Sequence, residues 1–142
     1  MPQAVKTSQA PTAIGPYSQG IITGNFVYTS GQIPLDPKNG QMAADIKQAT
    51  KRSLENIKAV LDEAGSGLDR IVKTTVYLKD MADFQAMNEV YATYFQEPFP
   101  ARSCVQVAKL PLDALVEIEA IAVTMDNGQW TMDNGDKRQW AG

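Results

Sequence analysis

From residue 46 onward the apolar positions Ile46, Ala49, Leu54, Ile57, Val60, Leu61 and Ala64 fall on one helical stripe. Asp45 stands where an N-cap belongs, Gln48 follows three residues later as in a capping box, and Gly65 supplies a natural stop. The spacing therefore predicts a helix across 45–65. Directly after it, IVKTTVYL at 71–78 is dense in β-branched residues and reads as a strand. The period then returns to helical from Met81 to Phe95, with Phe84, Met87, Tyr91, Tyr94 and Phe95 on the inner face and Glu97-Pro98 as the end.

Upstream, SQGIIT and NFVYTSG are short strand patterns separated by Gly24-Asn25, which together predict a hairpin. APTAIGPYSQG, with two prolines and two glycines around Tyr17, predicts an extended arm, and IPLDPKNGQ is turn chemistry. Downstream, strands are expected at 102–109 and 116–125, with Val105, Val107 and Ala108 having the character of buried sheet.

The order strand, strand, helix, strand, helix, strand, strand predicts an α+β domain with two helices on one face of a mixed sheet. Ile71, Tyr77, Val105 and Ile118 cannot all face those helices, so the opposite sheet face needs a cover, and an oligomer is the simplest one. One domain is expected over 1–124, followed by a C-terminal extension at 125–142 that lacks a helical or strand period and holds TMDNG twice. That extension is expected to be mobile, or to form a small hairpin around Asn127-Gly128 or Asn134-Gly135.

Composition narrows the chemistry. The 142 residues include no histidine and one cysteine, which removes Ser-His-Asp and Cys-His catalysis and the usual zinc ligand sets. A net charge of −3 gives no general attraction to a phosphate backbone, so nucleic acid is a disfavoured partner. The single cysteine, the lack of an apolar leader in MPQAVKTSQAP and the absence of any membrane-spanning stretch set the expectation of a cytoplasmic protein, an organelle being the other option.

Charge inside the strand patterns is where function is sought. Arg102 offers a permanently charged fork matched to a carboxylate, or else a salt bridge to Glu117 or Glu119. Glu117 and Glu119 share a parity with Ile121 and Val123, which suits either a semi-buried acid-base group or a pair of solvent-facing residues on an edge strand. Asn88 lies on the inner stripe of the second helix and needs a partner, either loop backbone or ligand. Tyr17 and Ser30 sit beside glycines, where the chain can approach a ligand, and Cys104 without histidine reads as a small buried hydrophobe. From the residues alone the reading stops at an anion-binding cleft.

APTAIGPYSQG, TSGQIPLDPKNG, IVKTTVYLKD, PARSCVQVAKLP and VEIEAIA, in this order and spacing across about residues 5–124, resemble the RidA (YjgF) family. The resemblance implies a chorismate-mutase-like fold, a homotrimer with clefts between subunits, and hydrolysis of 2-iminobutanoate or 2-iminopropanoate to a 2-keto acid and ammonia, protecting pyridoxal-phosphate enzymes. It implies no cofactor and no metal. The family's substrate arginine falls on Arg102 and its acidic residue on Glu117, with Tyr17, Ser30, Gly31, Asn88 and Cys104 at positions near the ligand. Endoribonuclease or translation-inhibitor activity, and a non-enzymatic ligand-binding or chaperone-like trimer, are the rival functions that the same resemblance carries.

Overall fold

The computed structural model describes residues 1–124 and, beyond them, the strands at 130–133 and 137–140. Strands β1 (Gln3–Val5), β2 (Gly20–Thr23), β3 (Phe26–Thr29), β4 (Ile71–Leu78), β5 (Ala101–Gln106) and β6 (Val116–Val123) form a six-stranded sheet in the order β1-β2-β3-β6-β4-β5. Only β4 and β5 run parallel, and the crossover they need is helix α2 (Phe84–Tyr91), flanked by 3-10 turns at Met81–Asp83 and Ala92–Tyr94. Helix α1 (Ile46–Glu63) packs on α2, β6 and β3.

The expected stripe makes the core. Leu54, Ile57, Val60 and Leu61 of α1 are fully buried, against Val76 and Leu78 of β4 and Val116, Ile118 and Ala122 of β6. Burying each large aliphatic side chain contributes about 1.5–3 kcal/mol. Asp45 caps α1 by accepting from the Lys47 and Gln48 amides at 2.9 and 3.0 Å, and Gly65 ends it in the left-handed region at φ 77°.

Strict alternation along β6 separates two faces. Val116, Ile118, Ala120 and Ala122 are buried under the helices, while Glu117, Glu119, Ile121 and Val123 are half-buried on the other side. Tyr77 and Val105 fall with that second face, Ile71 and Ile118 with the core. The second face also carries exposed Phe26 and Tyr28 beside Glu117 and Glu119, so among the described residues it is partly apolar and uncovered.

The structure adds one strand and corrects two expectations. Residues 3–5, to which the sequence patterns assigned no element, form β1 against β2. The strand expected at 102–109 ends at Gln106 and is an edge strand, with Val105 46% exposed, because only β4 pairs with it. The strand holding Glu117 and Glu119 is not an edge but lies between β3 and β4. In the extension, β7 (Trp130–Asp133) and β8 (Lys137–Trp140) pair antiparallel, and Asn127-Gly128 and Asn134-Gly135 lie outside the described residues.

Candidate active site

Two clusters collect the predicted residues, one on each face of the sheet. The first is built on β5 and α2. Arg102 points to the helix side, where its Nη1 donates to Asn88 Oδ1 at 2.6 Å. Its guanidinium carbon lies 4.8 Å from the Tyr91 ring centroid and 5.6 Å from that of Phe84. Phe84, Asn88 and Tyr91 occupy positions i, i+4 and i+7 of α2, one helix face, so a single stripe supplies two ring surfaces and one acceptor. Among the described residues the Nε/Nη2 edge of Arg102 carries no hydrogen bond, and that edge is a two-pronged donor for a carboxylate.

This arrangement replaces both simpler options for Arg102 and Asn88. Arg102 makes no ion pair with Glu117 or Glu119, which stand on the opposite face, and Asn88 is half-buried and bonds to the arginine instead of a loop. Cys104 follows two residues along β5, partly buried against the core, and burial pushes its thiol pKa above the ordinary value while Arg102 opposes the shift. A thiol so placed is held in its protonated, unreactive form.

The second cluster surrounds Gly31. A β-carbon on Gly31 would overlap Glu117 Oε2 and lie 2.7 Å from its Cδ, so the glycine is what lets the carboxylate rest against this backbone. Burial, and secondarily the neighbouring Glu119 charge, raise the Glu117 pKa above its ordinary value of 4.5. The backbone beside it is fixed on β6, with the Gln32 amide donating to Ile118 O at 2.8 Å and the return bond at 3.1 Å.

Two amides that the sequence patterns did not single out hold this second cluster in place. Gln19, almost fully buried, accepts from the Thr7 amide and donates to the carbonyls of Thr7, Ala10 and Pro11, while its own carbonyl accepts from the Ser30 amide. The Ser30 hydroxyl donates to Ser18 O at 2.5 Å. On the other flank, fully buried Asn56 donates to Ile33 O and Leu35 O and accepts a fork from Arg52. A buried amide inside a helix pattern is the one sequence signal that points to Asn56; Gln19 has none. Tyr17 stays on the arm, 53% exposed, its hydroxyl accepting from the Ile14 amide.

The clusters do not meet within one chain. Arg102 pairs across β4 with Thr74, which pairs with Ala120, three residues from Glu117. That is about 10 Å across two strand spacings and about 10 Å along the strand, with the sheet itself between the two side chains. Among the described residues no group of three or more cysteine, aspartate or glutamate side chains is placed to hold a metal, and no helix is long and apolar enough to cross a membrane.

Comparison with known proteins places this arrangement. A family model described as Endoribonuclease L-PSP matches residues 7–124. A RutC family protein of Pyrococcus abyssi is 56% identical over 121 residues, covering 84% of this chain and 95% of the relative. The 2-iminobutanoate/2-iminopropanoate deaminase of Escherichia coli is 51% identical over 126 residues, covering 87% and 98%. The crystal structure of E. coli TdcF with bound serine superposes with a TM-score of 0.82 at 49% identity, covering 85% of this chain and 98% of that one. With the family model spanning residues 7–124 and relatives matched along nearly their full length, the chain belongs to the RidA (YjgF) family.

Proposed function

We propose that the protein hydrolyses short 2-imino acids to 2-keto acids and ammonia, at a cleft made when the helix-side cluster of one copy meets the Gly31–Glu117 cluster of the next in a homotrimer. The observation that carries this reading is the separation of an uncommitted arginine fork from a half-buried carboxylate of raised pKa, on opposite faces of one sheet. A second copy seated on the uncovered face brings such groups together, and it buries Phe26, Tyr28 and Val105 as well. The deaminase name of the E. coli relative and the serine bound to TdcF, itself a small amino acid, support the substrate class.

In this reading Arg102 holds the substrate carboxylate through its Nε/Nη2 edge, the Gly31 amide helps fix it, and Ser30 and Tyr17 border the ligand. Ionised Glu117 takes a proton from water as the water oxygen bonds to the imine carbon, giving a carbinolamine. Glu117 returns that proton to the carbinolamine nitrogen and then accepts the hydroxyl proton as the C–N bond breaks, so that the carbonyl forms and ammonia leaves. Cys104 contributes its backbone carbonyl to holding the water, not its thiol. No cofactor is required, because a protonated imine is already electrophilic and general acid-base help of about 10²–10⁴-fold is sufficient assistance.

RNA cleavage, the activity in the family model's description, is the rival. The absence of histidine and the net charge of −3 weigh against it. The test is release of keto acid and ammonia from 2-iminobutanoate generated in place by an amino-acid oxidase. Acceleration by the wild-type protein that is lost in Arg102→Ala supports the proposal; a trimeric wild type without acceleration overturns it.

A further inference from the structure

Arg102 lies within a closed circuit of contacts that the proposed chemistry does not use. Thr74, completely buried on β4, is the register partner of Arg102 on β5. Its hydroxyl shares a buried 2.7 Å hydrogen bond with the Tyr91 hydroxyl, and the Tyr91 ring lies under the Arg102 guanidinium at 4.8 Å. The circuit thus runs from arginine through the strand pair to threonine, through a hydrogen bond to tyrosine, and back through the ring to the arginine. The ring also packs against Phe95, at 4.6 Å between centroids.

A guanidinium held at one point still rotates. The Asn88 bond fixes Nη1 but leaves the plane free to tilt about that contact. A ring beneath the guanidinium removes the tilt, because the cation is attracted to the ring face. Anchoring the phenol to Thr74, on the strand next to the arginine's own, ties the height and angle of that ring to the sheet. The Nε/Nη2 edge then points one way before any carboxylate arrives, so less ordering is left to be done on binding.

We infer that Tyr91, locked by Thr74, is a positioning residue that orients the Arg102 fork and thereby sets the affinity for the substrate carboxylate. The inference rests on the proposed role of Arg102 for its kinetic consequence, but the shelf itself is a property of the free protein. Tyr91 touches neither substrate nor reacting atoms in this scheme, so its removal acts on KM and not on the chemical step.

The experiment compares wild type, Tyr91→Leu, Tyr91→Phe, Thr74→Val, Arg102→Ala and the Arg102→Ala/Tyr91→Leu double variant. The first readout is the Arg102 Nε–H resonance by nitrogen-15 NMR, without ligand. The expected result is an ordered Nε–H and ring-current-shifted Arg102 Cδ protons in wild type, both lost in Tyr91→Leu, with the ring-current shift kept but order reduced in Tyr91→Phe and Thr74→Val.

The second readout is the kinetics with 2-iminobutanoate. Tyr91→Leu is expected to raise KM about 10-fold with kcat within about threefold, Tyr91→Phe to raise it less, and Tyr91→Leu to add nothing in the Arg102→Ala background. Unchanged Nε–H order in folded Tyr91→Leu overturns the inference, as does an equal loss of affinity with Arg102 already absent. Should Tyr91→Leu fail to fold, Thr74→Val decides, and unchanged order there overturns the lock. A wild type that does not hydrolyse the imine removes the deaminase reading alone, because the NMR comparison still accepts or rejects the shelf.

Discussion

Arg102 and Glu117 stand on opposite faces of one sheet, separated by strand β4 and by three residues of register. The arginine is gripped by Asn88 and rests on aromatic rings of α2, whereas the carboxylate rests against Gly31. Each half is well ordered by its own contacts, and neither half has both an anion clamp and an acid-base group. The predictions below follow from that division.

Replacing the fork tests the clamp. Arg102→Ala is expected to lower kcat/KM for 2-iminobutanoate by at least about 10²-fold, the scale for losing one partner of a hydrogen-bonded charge pair. Arg102→Lys keeps the charge but not the parallel donors and is expected to recover only part of the loss. Steady-state kinetics on both variants, with trimer content checked by light scattering, measures this.

Gly31→Ala tests the close approach. The backbone there is in a conformation any residue adopts, and the added carbon meets the end of a flexible side chain, 2.7 Å from Glu117 Cδ and 3.0 Å from Cγ. The fold is therefore expected to survive while Glu117 is pushed aside, with kcat falling about 10²-fold or more. Circular dichroism and kinetics together separate the two effects.

Much of the fold was legible because its signals are local. The α1 stripe with Asp45 and Gly65, the β2–β3 hairpin and β4 each follow from period, capping or turn chemistry within a few residues. The exposure of Val105 was not legible, since an apolar alternation looks alike on a central strand and on an edge, and only the strand order separates them. For the same reason Arg102 and Glu117 read as potential partners: parity fixes the face within a strand, but not which faces of β5 and β6 coincide. Gln19 was missed because nothing around it in sequence predicts that its amide would gather four backbone groups of the arm.

Asn56→Ala tests how the Gly31 segment is held. The substitution leaves Ile33 O, Leu35 O and the Arg52 fork without their buried partner. Unfolding in urea is expected to show a loss of about 2–4 kcal/mol, from unpaired buried groups that each cost about 1–3 kcal/mol. Activity is expected to fall with it, as the backbone beside Glu117 loosens.

The carboxyl of Glu117 gives a pH signature. Burial raises its pKa above 4.5, so the folded state binds this proton more tightly than the unfolded state. The associated stability is present in acid and is lost as pH rises through the raised folded value. Glu117→Gln, which removes the charge, is expected to have a higher Tm than wild type at pH 7 and the same Tm below about pH 4. In wild type, kcat/KM is expected to fall in acid with a midpoint above 4.5, since the base must be ionised.

The most direct test of the shared cleft mixes two variants that each lack one half of it. Arg102→Ala and Glu117→Gln chains are unfolded, combined in equal amounts and refolded, so that trimers contain both. If the arginine of one copy works with the glutamate of the next, about a quarter of the interfaces regain both groups and imine hydrolysis returns to about that fraction of wild type. Mixed trimers, verified by mass spectrometry, that stay as inactive as their parents would contradict the account.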